Sequence, residues 1–139
     1  MESIAVIFWS GTGNTATMAQ EVVNGTGGQA KLINVADTNA DEAAAYEKLA
    51  LGCPSMGDEV LEEDEMEPFF TALEGKISGK KVVLFGSYDW GDGQWMRDWA
   101  ERTKKAGAIL AADPLIVNLS PDADGKAKCR ELGKALADA

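Results

Sequence analysis

Six consecutive residues, Ser10-Gly11-Thr12-Gly13-Asn14-Thr15, set two glycines among four side chains that carry hydroxyl or amide groups, directly after an apolar run. A glycine-rich turn that opens a helix aims backbone N–H groups and the positive helix end at one point, and that point suits a phosphate. The loop contains no lysine or arginine, so a dianion there would be held by neutral dipoles alone. The same residues can also be read as a tight turn that does no more than cap the helix. They satisfy G-x-G-x-x-A through Gly11, Gly13 and Ala16, with Asp37 downstream at about the spacing of a ribose-binding carboxylate, so a dinucleotide site has to be weighed. Against it, four hydrogen-bonding side chains suit a terminal phosphate better than a bridging pyrophosphate, and 139 residues hold five strands rather than two mononucleotide halves. A P-loop is excluded because the lysine of G-x-x-x-x-G-K-[ST] is missing. Two more loops are chemically unusual: Pro54-Ser55-Met56-Gly57-Asp58-Glu59 and Ser87-Tyr88-Asp89-Trp90-Gly91-Asp92-Gly93. Histidine is absent, which removes Ser/His and Cys/His catalysis and most zinc sites. Cys53 and Cys129 form no CxxC and read as reduced, small core residues. No catalytic group and no metal site is expected.

The elements that must position these loops follow from hydrophobic periodicity. Residues 4–9 and 82–85 are nearly all apolar and fit strands covered on both faces; 30–36 and 49–53 are weaker strand candidates. Helical spacing marks Met18, Ala19, Val22 and Val23, then Met66, Phe69, Phe70, Leu73 and Ile77. Trp95 and Trp99 mark a third helix ending near Gly107, and Cys129, Leu132 and Leu136 a fourth that starts at Pro121 and Asp122. A fifth strand over 109–119 is interrupted by Pro114, which confines it to a sheet edge or a bulge. Strands alternating with helices predict a doubly wound α/β fold, a parallel sheet with helices on both faces and one domain over 1–139. Ligands of such sheets bind beyond the carboxyl ends of the strands, where the three unusual loops lie.

Composition narrows the function classes. Thirteen basic against 23 acidic residues give a net charge of −10, a field that repels nucleic acid and anionic membranes and steers toward basic protein surfaces. No apolar stretch approaches the roughly 18 residues that span a bilayer, and Met1-Glu2-Ser3 lacks a signal peptide's positive start, so a cytoplasmic protein is expected.

With Ser10-Gly11-Thr12-Gly13-Asn14-Thr15 opening the first helix, Met56-Gly57-Asp58-Glu59 after the third strand and Tyr88-Asp89-Trp90-Gly91-Asp92-Gly93 after the fourth, the chain resembles the flavodoxins, most closely the short-chain type of anaerobic bacteria. The resemblance covers essentially the whole chain and includes an acidic approach to the second helix at Glu62, Glu63, Asp64, Glu65 and Glu67. It departs from the family's pattern at Pro54, where some relatives carry serine, and at Asp89, where close relatives often carry glycine.

The resemblance implies a five-stranded sheet in the order 2-1-3-4-5, for which flavodoxins are themselves the type example, with one non-covalent FMN and one-electron transfer between redox proteins. It implies cofactor contacts from Ser10 through Thr15, from Ser55, Met56, Gly57, Asp58 and Glu59, and from Ser87, Tyr88, Asp89, Trp90 and Gly91. Trp90 and Met56 are expected on the two ring faces, and Glu59 as the acceptor of the flavin N3–H. The Gly57 carbonyl is expected to turn toward N5 on one-electron reduction, because glycine crosses to positive φ at small cost. The chain is then a low-potential carrier working through the semiquinone/hydroquinone couple, not an enzyme. It acts as a monomer whose acidic flavin edge docks transiently on basic reductases. An FMN-binding module without a shuttle role and a NAD(P)-dependent fragment are the competing readings.

Overall fold

The computed structural model describes residues 3–139 and shows a parallel sheet with helices on both faces. Its elements are β1 (Ile4–Phe8), α1 (Asn14–Gly25), β2 (Ala30–Asn34), α2 (Ala40–Ala44), β3 (Lys48–Gly52), α3 (Met66–Leu73), β4 (Lys81–Tyr88), α4 (Gln94–Lys105), β5 (Ile109–Leu110), β6 (Leu115–Asn118) and α5 (Ala123–Asp138). Strand order is β2-β1-β3-β4-β5, as the family resemblance implies. The fifth strand position is divided: β5 and β6 both pair in parallel with β4, and Pro114, which cannot donate to the ladder, lies in the gap.

Alternation along the strands sorts the core into two layers. Ile4 and Val6 of β1, Ala50 of β3 and Val83 and Phe85 of β4 face α1 and α5, where Met18, Ala19, Val22, Cys129, Leu132 and Leu136 meet them. Ala5, Ile7, Leu49, Leu51, Val82 and Leu84 face the other way, against Ala40 and Ala43 of α2, Phe69, Phe70 and Leu73 of α3, and Trp95 and Trp99 of α4. Each fully buried aliphatic or aromatic side chain here stabilises the fold by about 1.5–3 kcal/mol. The α1 and α5 helices cross closely because neither contact point carries a side chain. A Cβ at Gly25 would collide with the Arg130 carbonyl, and one at Gly133 with the Val22 carbonyl.

Two readings of the sequence change in detail and a third holds. The second strand stops at Asn34, because Val35–Asp37 turn into a 3₁₀ segment whose start is capped by Asn34 accepting from Ala36 N–H at 3.0 Å. The short helix α2 has no apolar period long enough to be seen in the sequence; Asn39 caps it by accepting from Glu42 N–H at 2.9 Å. Asp122 does cap α5, accepting from Gly125 N–H at 2.8 Å, as the Pro121-Asp122 pair predicts.

Both cysteines are free and buried. Burial pushes the Cys53 thiol up to about 12 and that of Cys129 to about 11. Among the described residues no helix is long and apolar enough to cross a membrane, and no cluster of metal-ligating side chains is found.

Candidate flavin site

The loops that leave β1, β3 and β4 converge at the carboxyl edge of the sheet. Register brings them there: Phe8 lies opposite Gly52, and Gly52 opposite Phe85. Beyond the strands the alignment is kept by Trp9 N–H to Gly52 O at 3.0 Å, Cys53 N–H to Phe85 O at 3.1 Å and Ser55 N–H to Ser87 O at 3.0 Å.

Between these loops lies a solvent-open cavity of about 230 Å³ lined by Trp9, Gly11, Thr12, Asn14, Pro54, Ser55, Met56, Ser87, Tyr88, Asp89 and Leu119. Its lining contains no lysine or arginine. The volume falls short of the roughly 300–1,000 Å³ that encloses a drug-sized ligand, so a larger ligand would keep one edge in solvent.

The loop from Ser10 to Thr15 is shaped by two of its own hydroxyls. Ser10 Oγ accepts from Gly13 N–H at 3.1 Å and Ala16 N–H at 3.2 Å, which folds the turn back on itself. Thr15, buried at the base, shares a hydrogen bond of 3.0 Å with the Ser87 hydroxyl and so ties α1 to β4. Gly13 stands at φ 98° before the helix, a conformation that glycine adopts without strain. The backbone N–H groups of Gly11, Thr12 and Thr15 make no hydrogen bond within the described protein. Free donors at the positive end of a helix, with no cation beside them, fit a phosphate monoester held by neutral dipoles.

The second loop closes as a tight hairpin, with Met56 and Val60 exchanging two backbone hydrogen bonds of 2.9 Å and Gly57, Asp58 and Glu59 at its tip. Gly57 has φ 49°, and a Cβ there would meet nothing within 4 Å. Glu59, at φ 58°, turns its carboxylate across to the third loop, where Oε1 accepts from Gly93 N–H and Gln94 N–H, both at 3.1 Å. It thereby caps α4, and Gly91 leaves it room, since a Cβ on Gly91 would strike this carboxylate.

Of the sixteen residues expected at the site, Gly11, Thr12, Asn14, Ser55, Met56, Ser87, Tyr88 and Asp89 line the cavity. Ser10, Gly13 and Thr15 build the loop behind it, while Gly57, Asp58, Glu59, Trp90 and Gly91 form the two tips beside it. Trp90 is 56% exposed, unlike the buried Trp95 and Trp99. Three lining residues were missed. Trp9 reads in sequence as the end of an apolar strand, Pro54 as a departure from the family pattern, and Leu119 as an ordinary strand residue.

The acidic stretch after Met56 is less uniform than its composition. Buried Glu62 accepts from Asp64, Glu65 and Met66 N–H groups at 2.8–2.9 Å and caps α3. Glu67 pairs with Arg102 at 2.7 Å, and the arginine's hydrogen bonds hold its carboxyl below the usual carboxylate range. Glu65 accepts from Trp9 Nε1 at 3.1 Å. With Glu59 capping α4, the exposed carboxylates of the stretch are those of Asp58, Glu63, Asp64 and Glu65, the last with one oxygen engaged by Trp9.

A parallel sheet ordered β2-β1-β3-β4-β5, with a cation-free N–H cradle after β1 and an apolar, aromatic wall beside it, defines a ligand-binding α/β domain of the doubly wound class. A sequence profile of the flavodoxin family matches residues 6–133. The chain is 50% identical to the flavodoxin of Clostridium beijerinckii over 136 residues, covering 96% of this chain and 98% of that one. It is 46% identical to the flavodoxin of Megasphaera elsdenii over 139 residues, covering 98% and 99%. Superposition on the solution structure of two-electron reduced Megasphaera elsdenii flavodoxin gives a TM-score of 0.87 at 45% identity, over 98% of this chain and 99% of that one. The chain belongs to the flavodoxin family and is, with it, an electron-transfer flavoprotein.

Proposed function

We propose that this chain binds one FMN non-covalently and works as a low-potential one-electron carrier between redox proteins, a cytoplasmic monomer with no substrate chemistry of its own. One observation carries the reading. A single cavity joins a cation-free set of N–H donors to a wall of Trp9, Pro54, Met56, Tyr88 and Leu119, and flavin mononucleotide carries both parts such a cavity suits, a phosphate monoester and a wide, largely apolar ring.

When bound, FMN supplies a ring system that takes up and releases electrons one at a time. The protein's residues position it and set its surroundings. The N–H groups of Gly11, Thr12 and Thr15, with the Thr12 hydroxyl and Asn14 amide, would donate to the phosphate, while Ser10 and Gly13 hold the loop in shape. Ser55, Ser87, Tyr88 and Asp89 line the cavity and would border the cofactor bound there. Met56 and exposed Trp90 offer polarizable and aromatic surface to the two ring faces. Glu59 keeps Oε1 on α4, and its unengaged Oε2 would accept the ring imide N–H. Gly57 leaves the Gly57–Asp58 peptide free to present either its carbonyl or its N–H to the ring edge, at a cost only glycine keeps small. Gly91 allows the third loop to lie against Glu59.

Added negative charge meets no lysine or arginine in the cavity lining, in a protein of net charge −10, so the reduced cofactor is a strong reductant. Asp58, Glu63, Asp64 and Glu65 supply the docking rim for basic partners, a narrower one than the seven acidic residues between 58 and 67 suggest. Such a rim raises the rate of encounter more than affinity, which suits a carrier that must leave quickly. An anaerobic reductive titration of the FMN-loaded protein tests the reading: two resolved one-electron steps are expected, and a single two-electron step would contradict it.

A further inference from the structure

Leu119 stands at φ 58°, one of two non-glycine residues with positive φ among the described residues, and closes β6 at the edge of the cavity. A left-handed conformation is unfavourable for a leucine, whose Cβ crowds the following carbonyl. The turn itself does not need a leucine. What holds it is the Leu119 N–H, which donates to Tyr88 O at 2.7 Å beside the Asn118 side-chain amide at 3.2 Å. Any residue with an N–H would serve there, and glycine would do so without strain. Nor does the side chain serve the core, for Leu119 is 53% exposed. It lines the same cavity as Trp9, Pro54, Met56 and Tyr88, and extends their apolar wall.

We propose that Leu119 is a ligand-contacting residue of the flavin site, whose strained backbone and exposed isobutyl group are kept because the side chain covers apolar cofactor surface common to FMN and riboflavin. The inference rests on the FMN reading above and adds a residue to it. The two hydrogen bonds donated to Tyr88 O make this contact rigid, since they pin the end of β6 to the start of the loop carrying Asp89 and Trp90.

Three variants separate contact from strain: Leu119→Ala keeps the strain and removes the contact, Leu119→Gly removes both, and Leu119→Met keeps an apolar reach. Dissociation constants for FMN and riboflavin are measured by quenching of flavin fluorescence, and melting temperatures on the flavin-free proteins. The alanine and glycine variants should weaken both flavins by the same factor, roughly three- to tenfold, as expected for loss of a partly buried aliphatic contact. The methionine variant should stay near the parent, and the glycine variant should melt above the alanine variant. Unchanged affinities in the alanine and glycine variants, or a loss for FMN that riboflavin does not share, would overturn the proposal. Failure of the parent protein to bind either flavin would instead overturn the FMN reading on which it rests.

Discussion

Replacing Glu59 with alanine removes the acceptor of two N–H groups at the start of α4, the Gly93 and Gln94 amides at 3.1 Å. A capping acceptor at a helix start contributes about 0.5–2 kcal/mol, and a negative charge there about 0.3–1 kcal/mol through the helix dipole. Alanine at φ 58° keeps the backbone strain, so nothing is regained on that side. A net loss of about 1–2 kcal/mol is expected. Charge itself confounds the comparison, because removing one carboxylate from a protein of net charge −10 relieves some self-repulsion. Glu59→Gln controls for this, since it removes the same charge but keeps an oxygen able to accept. The alanine variant should therefore be less stable than the glutamine variant by about 0.5–1 kcal/mol in urea unfolding of the flavin-free proteins. Amide exchange supplies a local reading: the Gly93 and Gln94 amides should lose protection in Glu59→Ala while those in the body of α4 keep theirs. Equal stability of the two variants and the parent, with unchanged exchange at Gly93 and Gln94, would refute the clasp between the second and third loops.

Gly133→Ala should destabilise by about 1–3 kcal/mol in thermal or urea unfolding, because its Cβ meets the Val22 carbonyl where α1 and α5 cross. Gly57→Thr should cost the turn about 1–2 kcal/mol purely through backbone preference, since nothing lies within 4 Å of the added Cβ. Its mark should be a shift of the first one-electron midpoint potential of the FMN-loaded protein, with oxidised-state affinity changed much less. Arg102→Ala should lower the melting temperature near neutral pH and lose that effect in acid. The Glu67 carboxyl is depressed in the folded protein by its hydrogen bonds to Arg102, so the pair's contribution is complete above the ordinary carboxylate range of about 4.3 and disappears as pH falls through the folded value.

Much of the fold could be read from the sequence, because strands buried on both faces leave unbroken apolar runs and the longer helices keep a 3.6-residue period. The proline at 114 was informative for the same physical reason that it divides the edge strand, a missing donor. Helix α2 was not readable: five residues capped by Asn39 carry too little period to stand out from a loop. At the site, residues whose types are chemically unusual in a turn declared themselves, and eight of them line the cavity. Leu119 did not, since its left-handed backbone is a property of the fold rather than of its side chain. The acidic run misled for a related reason. Composition counts Glu59, Glu62 and Glu67 with their neighbours, whereas the chain turns each carboxylate inward onto a helix start or onto Arg102.

The neutral phosphate cradle is the claim on which the account most depends, and comparing FMN with riboflavin on the flavin-free protein tests it directly. Three unpaired N–H groups, each donating a charge-assisted bond of about 1.5–3 kcal/mol, predict FMN affinity at least about a hundredfold above that of riboflavin. Thr12→Ala should narrow this gap by weakening FMN alone. Equal affinities for the two flavins, or a Thr12→Ala variant that weakens both alike, would contradict the assignment of the Ser10–Thr15 loop to the phosphate.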